Sequence, residues 1–223
     1  MDLSEIRKQI TTGFLSNFEN EKKPEDCYTD FAYPKFFKLM KFNTERYTVK
    51  GFGHFMTMHT RTKMGMTLLT ASFTPGEGAE VPYLLIDIMT LGKKRTVFVE
   101  YYDCTGKMCN APLLKEVCDK FKDLQEYAEK PKWYVGERTG YSLIKCGTAE
   151  DDEKLVSMIN ESVKAYAETV RKGSASKENL SGLLKFRDRM IEEGNPSSAV
   201  LAKVFGKERA ADFFKKCVMP VED

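Results

Sequence analysis

The sequence predicts an α+β domain in which a central antiparallel sheet is flanked by helices. Three features support this fold class: helical periodicity at the N-terminus, a strand-rich block from about residue 36 to 103, and helical periodicity in most of the remaining chain. Short turns join the predicted strands, which favours antiparallel neighbours. Helices before and after the sheet can cover both of its faces. No linker interrupts the pattern, so we expect one domain over residues 1–223.

The N-terminal half is predicted to begin with one helix and to continue as strands. Apolar residues at helical spacing predict a helix over residues 2–18, and the polar stretch 19–26 is interpreted as a loop. Segments rich in Thr, Val, Phe, Tyr and Met, separated by turn-forming residues, then predict six strands. These strands are expected at residues 36–43, 46–50, 52–61, 65–74, 82–89 and 95–102.

The C-terminal half is predicted to be helical, apart from one strand at residues 141–146. Helices are expected at residues 112–129 and 208–218, and three more lie between them. Helices are expected to begin at a capping box of Thr148 and Asp151 and at Ser176, and to end at Gly173 and Gly206. In the Gly194-Asn195-Pro196 sequence, Gly194 is expected to end one helix, and Asn195 and Pro196 to be the N-cap and first residue of the next.

The composition excludes several classes of protein. With 42% hydrophobic and 30% charged residues among 223, the chain is not disordered, collagen-like or a disulfide-rich miniprotein. A net charge of +2 argues against a bulk nucleic-acid binder. The sequence shows neither a secretory pattern nor the roughly 20 apolar residues of a membrane span. Its six cysteines include no C-x-x-C pair, which suits reduced thiols. We therefore expect a cytoplasmic monomer without a bound metal.

Common catalytic signatures for nucleotide, hydrolase and metalloprotease sites are missing from the sequence. Its two histidines, His54 and His59, lie in one predicted strand and are five residues apart. Since side chains alternate along a strand, the two imidazoles are expected on opposite faces of the sheet, where they cannot share a metal ion. Acid–base chemistry would therefore depend mainly on carboxylates.

Asp87 is the most conspicuous carboxylate, because it lies within the most apolar predicted strand. Alternation places Leu85, Asp87 and Met89 on one face and aliphatic residues on the other, so both faces are expected to be buried. A buried carboxyl group must be hydrogen-bonded, ion-paired or directed at a ligand cavity, and without a partner its pKa rises. Two interpretations remain open: a proton donor at neutral pH, or a strand-end Asp bonded to the backbone or to an arginine.

Basic residues are concentrated between residues 34 and 63, where seven of them accompany one acid, Glu45. The seven are Lys35, Lys38, Lys41, Arg46, Lys50, Arg61 and Lys63, and a hairpin tip adds Lys93, Lys94 and Arg95. Three interpretations remain open: a solvated sheet face, a docking surface for an acidic partner or anionic ligand, and a nucleic-acid surface. The neighbouring aromatic residues form no recognisable platform for stacking bases.

Three parts of the sequence resemble the ferredoxin-dependent bilin reductases. The first is LLTASFTP at residues 68–75 followed, after a short loop, by VPYLLIDIM at residues 81–89. The second is Trp133 with the predicted strand at residues 141–146. The third is VLAKVFGKERAADFF at residues 200–214, which is followed by Val218-Met-Pro. The resemblance runs in order over about residues 36–220.

This resemblance implies a three-layer α/β/α sandwich that reduces a linear tetrapyrrole, such as biliverdin, without a flavin or a metal. Single electrons would come from reduced ferredoxin or flavodoxin, and protons from the protein. The family's central-strand aspartate falls on Asp87, the residue that burial already distinguishes. A bent bilin would lie between the sheet and the C-terminal helices, where Asp87 protonates it. The basic surface would attract the acidic ferredoxin or flavodoxin.

Other family positions fall on less reactive residues of this chain. Many family members have an acidic residue or an Asn-Asp pair just before the C-terminal helix, and Asn195 is the nearest match in this chain. Some members have a histidine on the strand before the Asp strand, where this chain has Thr70. A glutamate of some members falls near Met58, with His59 adjacent. The resemblance implies that these four residues contact substrate. The candidates for binding the bilin propionates are Arg61, Lys63, Arg95 and Arg187.

Two alternatives to a reductase remain open. The first is a protein of the same fold that binds a bilin or haem without reducing it, which Thr70 and Met58 favour. The second is a nucleic-acid or protein-interaction module that uses the basic segment at residues 35–63. Among partners, we expect a tetrapyrrole and an acidic electron carrier, and neither nucleic acid nor membrane.

Overall fold

The computed structural model describes residues 1–34, 37–76, 80–104, 111–173, 178–195 and 198–221. Eight antiparallel strands form one sheet. The strands are β1 (Asn20–Lys22), β2 (Asp30–Tyr33), β3 (Met40–Val49), β4 (Gly53–Thr62), β5 (Met66–Pro75), β6 (Tyr83–Leu91), β7 (Lys94–Tyr102) and β8 (Leu143–Gly147). The helices are α1 (Leu3–Leu15), α2 (Pro112–Lys120), α3 (Asp152–Lys172), α4 (Glu178–Glu192), α5 (Ser198–Phe205) and α6 (Lys207–Phe213).

The strands from β3 to β8 are neighbours in chain order, so the sheet is a meander. The short strands β1 and β2 pair with the two ends of β3. Gly53 begins β4 with φ 135°, and a Cβ at this position would lie 2.1 Å from the Thr74 carbonyl oxygen. Only glycine fits such a close approach of two backbones. The β3–β4 turn therefore depends on this residue.

Helices cover both faces of the sheet. One face packs against α1, α2 and α3 in a core built on residues such as Phe14, Ile86 and Ile159. The other face packs against α4, α5, α6 and the following π-helical turn Phe214–Val218. The fold class predicted from the sequence, an α+β protein with a central antiparallel sheet in a three-layer α/β/α sandwich, is confirmed.

Several boundaries differ from the prediction. Residues 40–49 form one strand rather than two, since the polar segment from Asn43 to Arg46 stays paired with β4 throughout. The stretch 19–26, interpreted as a loop, contributes β1. The helix predicted to reach residue 129 ends at Lys120, because the chain then turns and Glu126 bridges to Lys145 on β8.

The predicted helix boundaries are largely as expected. Thr148 and Asp151 form a capping box, and the long helix α3 stops at Gly173. Gly194 and Gly206 have φ angles of 94° and 82°, conformations that end α4 and α5. The proposed caps at Ser176 and Pro196 lie outside the described residues. Within the described ranges, we find no helix with the length and apolarity needed to cross a bilayer.

Candidate functional site

A small cavity lies between the sheet and the C-terminal helices. Strand alternation directs Tyr83, Leu85 and Asp87 of β6 to this face, while Leu84, Ile86 and Ile88 enter the opposite core. The cavity holds about 20 Å³, which is room for roughly one water molecule. It is lined by Met58, Thr70, Tyr83, Leu85, Asp87, Met190, Asn195, Leu201, Phe214 and Val218.

Asp87 is hydrogen-bonded to a neighbouring strand. Thr70 is its direct partner in the β5–β6 ladder, and the Thr70 hydroxyl donates to Asp87 Oδ1 over 2.5 Å. Burial raises the pKa of Asp87 to about 6, although the Thr70 hydrogen bond lowers it. The side chain of Asp87 is half-buried and opens onto the cavity, and a carboxyl group with this pKa changes its protonation close to neutral pH.

Three of the predicted residues form one row across the sheet. Met58 is opposite Thr70 in the β4–β5 ladder, and Thr70 is opposite Asp87, so the row runs over three strands. Asn195 closes the cavity from the helical side, and its side-chain amide donates to the Met190 carbonyl over 3.1 Å. The structure thus brings together Asp87, Thr70, Met58 and Asn195.

His59 and Arg61 do not belong to this group. They alternate with Met58 along β4, so they lie on the opposite face of the sheet beside α1, where Arg61 donates to Ser4 Oγ over 2.9 Å. The expectation that they share a site with Asp87 is therefore wrong, and the cause is the alternation of β4. His54 is an even number of residues from Met58 along β4, so it lies on the same face as Met58 and on the opposite face from His59, as predicted.

The remaining candidate cations also lie away from the cavity. Arg187 is on α4, where its Nε donates to Asp188 over 3.1 Å, and it is not among the lining residues. Arg95 is buried rather than exposed at a hairpin tip, because its Nε donates to Asp152 Oδ1 over 2.7 Å. Lys63 is exposed in the turn between β4 and β5.

The basic segment is partly neutralised. Arg46 forms an ion pair with Asp26 over 2.9 Å, and Lys50 forms one with Glu19. Lys35 lies outside the described residues. The exposed cations Lys38, Lys41, Arg61, Lys63, Lys93 and Lys94 lie at or near the end of the sheet where Met40, Thr62, Leu91 and Lys94 meet.

A second buried carboxylate, Glu100, escaped the sequence prediction. It lies on β7 with 1% of its surface exposed, accepts a hydrogen bond from the Tyr102 hydroxyl over 2.9 Å and forms an ion pair with Arg138. Burial raises the pKa of Glu100 to about 7, with Arg138 opposing this and Asp87 adding to it. Its signal was present in the sequence, since Glu100 interrupts an apolar strand just as Asp87 does.

A larger cleft adjoins the cavity on the outside of the helices. It has a volume of about 530 Å³ and runs between the end of α4, α5 and α6. Asn195, Leu201 and Phe214 line both spaces, so these three side chains separate the cleft from Asp87. Among the described residues, no group of three His, Cys, Asp or Glu is placed to hold a metal ion.

Comparison with known proteins identifies the fold. No family model matches the sequence, and no curated protein resembles it in sequence. The structure matches that of phytochromobilin synthase from tomato, solved in complex with biliverdin, with a TM-score of 0.81. The match covers 96% of this chain and 82% of the synthase chain at 11% sequence identity. We conclude that the chain has the fold of the tomato phytochromobilin synthase.

Proposed function

We propose that this protein binds a linear tetrapyrrole and reduces it by proton-coupled single-electron steps. The observation that carries the proposal is the Asp87 carboxyl, which faces a cavity under the C-terminal helices and has its pKa raised to about 6. A general acid works best when its pKa lies near the working pH. The likeness to a synthase solved with biliverdin supplies the class of substrate.

The proposed reaction adds two electrons and two protons to one double bond of the bilin. Asp87 gives its proton to the bilin, and the cation formed accepts one electron more easily than the neutral pigment does. A second electron from the carrier and a second proton, which comes from water, complete the step, and Asp87 regains its own proton from water. The electrons come from an external one-electron carrier, a reduced ferredoxin or flavodoxin, which would approach the exposed lysines at one end of the sheet.

The substrate needs more room than the cavity now offers. Pockets for ligands of this size have volumes of about 300–1,000 Å³, whereas the space in front of Asp87 holds about 20 Å³. The adjoining cleft, with about 530 Å³, has the required size. We infer that the bilin occupies this cleft and that Leu201 and Phe214 move aside to let one part of it reach Asp87.

A tetrapyrrole-binding protein without reductase activity is the second candidate. It is favoured by the lining of the cavity, in which Asp87 and Tyr83 are the ionisable groups among the described residues. Burial raises the pKa of Tyr83 well above its ordinary value, so this phenol is a poor proton donor. Thr70 and Met58 provide no acid at neutral pH.

Absorbance spectroscopy distinguishes the two candidates. The protein is titrated with biliverdin, and reduced ferredoxin is then added without oxygen. A bound spectrum that changes with electron supply supports a reductase, whereas a bound spectrum that stays constant selects the binding protein. No spectral change with biliverdin would overturn both, and salt-sensitive binding of an oligonucleotide would then favour an interaction module.

A further inference from the structure

A second cleft lies on the opposite face of the sheet, between α1 and the strands β3 and β4. Its volume is about 550 Å³. Two acids and several cations line it, but the acids are already engaged. Asp30 accepts a hydrogen bond from the Asn43 amide over 2.8 Å, and Glu45 accepts one from Lys22 over 2.7 Å. The amide is uncharged, so Asp30 keeps its negative charge, whereas Glu45 is paired with a cation. Four cations, Arg7, Lys8, Lys41 and Arg61, line the cleft against these two acids, so the net charge of its lining is positive.

Two of these cations face each other directly. Lys41 and Arg61 are cross-strand partners in the β3–β4 ladder. Like charges at directly opposite positions destabilise a sheet, and within the described ranges neither side chain has a carboxylate at ion-pair distance. Arg61 donates one hydrogen bond, to Ser4 Oγ over 2.9 Å, which leaves other guanidinium donors unused. An anion between the two cations would relieve their repulsion.

His59 adds a buried and unsatisfied group to the same cleft. It precedes Arg61 by two residues on the same face of β4, and only 8% of its surface is exposed. Its Nε2 has no hydrogen-bond partner among the described residues, and neither has Thr11 Oγ1, which also lines the cleft. Buried polar groups normally have partners. Both atoms are shielded from solvent in this structure, so a ligand oxygen becomes the missing partner only when the side chains around them move.

The floor of the cleft is held rigidly. The Arg7 guanidinium donates to Thr57 Oγ1 over 2.9 Å and to Asn43, and its pKa is lowered by burial. The other basic residues that line the cleft are Lys8, Lys41, Arg61 and His59. A site that is positioned before its ligand arrives binds more tightly, because little ordering remains to be done.

We propose that this cleft binds a phosphate group, most naturally that of a phosphate monoester. An arginine fork, a lysine ammonium and an imidazole on one face of two neighbouring strands provide several hydrogen-bond donors for a tetrahedral oxyanion. The volume exceeds that of the anion alone, so the remainder of an ester fits beside it. The sheet separates this site from Asp87, and the proposal does not depend on tetrapyrrole reduction.

Nuclear magnetic resonance of the histidine rings tests the proposal, since the chain has only two histidines. The full chain, with labelled histidine and in a buffer without phosphate, is titrated with inorganic phosphate. We expect the His59 ring signals to move saturably with a dissociation constant of about 1 mM or below, while those of His54 stay in place. Arg61→Gln should weaken binding about tenfold or more, as loss of a charge-assisted hydrogen bond does.

Lys63→Gln is the matched control, because Lys63 is an exposed neighbour that does not line the cleft. This variant should bind phosphate as the wild type does, within about twofold. The proposal fails if the His59 signals do not move, if sodium chloride at equal ionic strength moves them as far, or if Lys63→Gln weakens binding as much as Arg61→Gln.

Discussion

The burial of the Asp87 carboxyl destabilises the folded protein at neutral pH. Its pKa is raised from 3.8 to about 6, so the folded state holds this proton more tightly than the unfolded state does. The stabilisation that this tighter proton binding gives the folded state is full below about pH 4, and it is lost as the pH rises through about 6. At about 1.4 kcal/mol per pKa unit, the difference amounts to roughly 3 kcal/mol.

Asp87→Asn should therefore raise the free energy of unfolding at pH 7 by up to roughly 3 kcal/mol, since an amide cannot ionise and can still accept from Thr70. The gain should be much smaller near pH 4, where the wild-type carboxyl is protonated in the folded state and about half protonated in the unfolded state. Urea unfolding at pH 4 and pH 7 measures both values. A gain that is equal at the two pH values would show that burial does not raise this pKa.

Thr70→Val should raise the pKa of Asp87 further. The Thr70 hydroxyl donates to the carboxylate and so favours its charged form. Carbon-labelled aspartate followed by nuclear magnetic resonance reports the titration directly. Thr67→Val is a matched control, because Thr67 pairs with Thr90 on the same two strands at a distance from Asp87 in sequence. An unchanged or lowered Asp87 pKa in Thr70→Val would contradict this role of the hydroxyl.

At the scale of single residues, the sequence identifies Asp87 as an acid within an apolar strand, and the same reasoning would have identified Glu100. Both are acids within apolar strands, and alternation alone indicates that each is buried. The hydrogen bond from Thr70 and the ion pair with Arg138 could not be predicted, because each joins residues whose contact depends on strand register or on a distant loop. The grouping of His59 and Arg61 with Met58 was a different error, since alternation along one strand already places neighbouring residues on opposite faces.

At the scale of elements, Arg138 fastens the segment before β8 to strand β7. Its side chain is 7% exposed, and it pairs with Glu100 and Glu129. Arg138→Leu should lower the free energy of unfolding by roughly 3–5 kcal/mol, because it leaves a buried carboxylate unpaired. The loss should be larger at pH 8 than at pH 6, since the pKa of Glu100 is already about 7 with Arg138 in place.

Two further variants control that prediction. Adding Glu100→Gln to Arg138→Leu should recover part of the lost stability, because the unpaired charge is gone. Arg189→Leu removes a more exposed arginine from its pairs with Glu137 and Glu193 and should cost less than about 1 kcal/mol. Chemical unfolding measures the free energy of unfolding of all three variants. Equal losses in Arg138→Leu and Arg189→Leu would refute the stabilising role of the buried Arg138 ion pairs.

The elements that the sequence predicts best are those with a strong local period. Helices α1 and α3 and strands β4 to β7 appear near their expected positions. Strands β1 and β2 were missed because they are short and pair only with β3, and β1 is also entirely polar. Two strands were predicted where the structure has β3, because the middle of β3 is polar. Pairing with β4 keeps this polar middle extended.

At the scale of the whole molecule, the two faces of the sheet should respond differently to biliverdin. The proposed bilin site involves α4, α5 and α6, while α1 and α3 pack on the other side. Hydrogen exchange read by mass spectrometry should show slower exchange in the C-terminal helices with biliverdin and little change in α1 and α3. Slowing of similar size on both faces would mean that the pigment does not bind where we propose.

The central claim is that Asp87 supplies a proton during reduction of a bound bilin. The most direct measurement is the single-turnover rate of biliverdin reduction by reduced ferredoxin, without oxygen, in Asp87→Asn and in Asp119→Asn. Asp119 is an exposed carboxylate on α2, on the other side of the sheet, and it pairs with Lys115. We predict that Asp87→Asn still binds biliverdin but reduces it about 100-fold or more slowly, as expected for loss of a general acid, while Asp119→Asn keeps the wild-type rate. Reduction by Asp87→Asn at the wild-type rate would contradict the account.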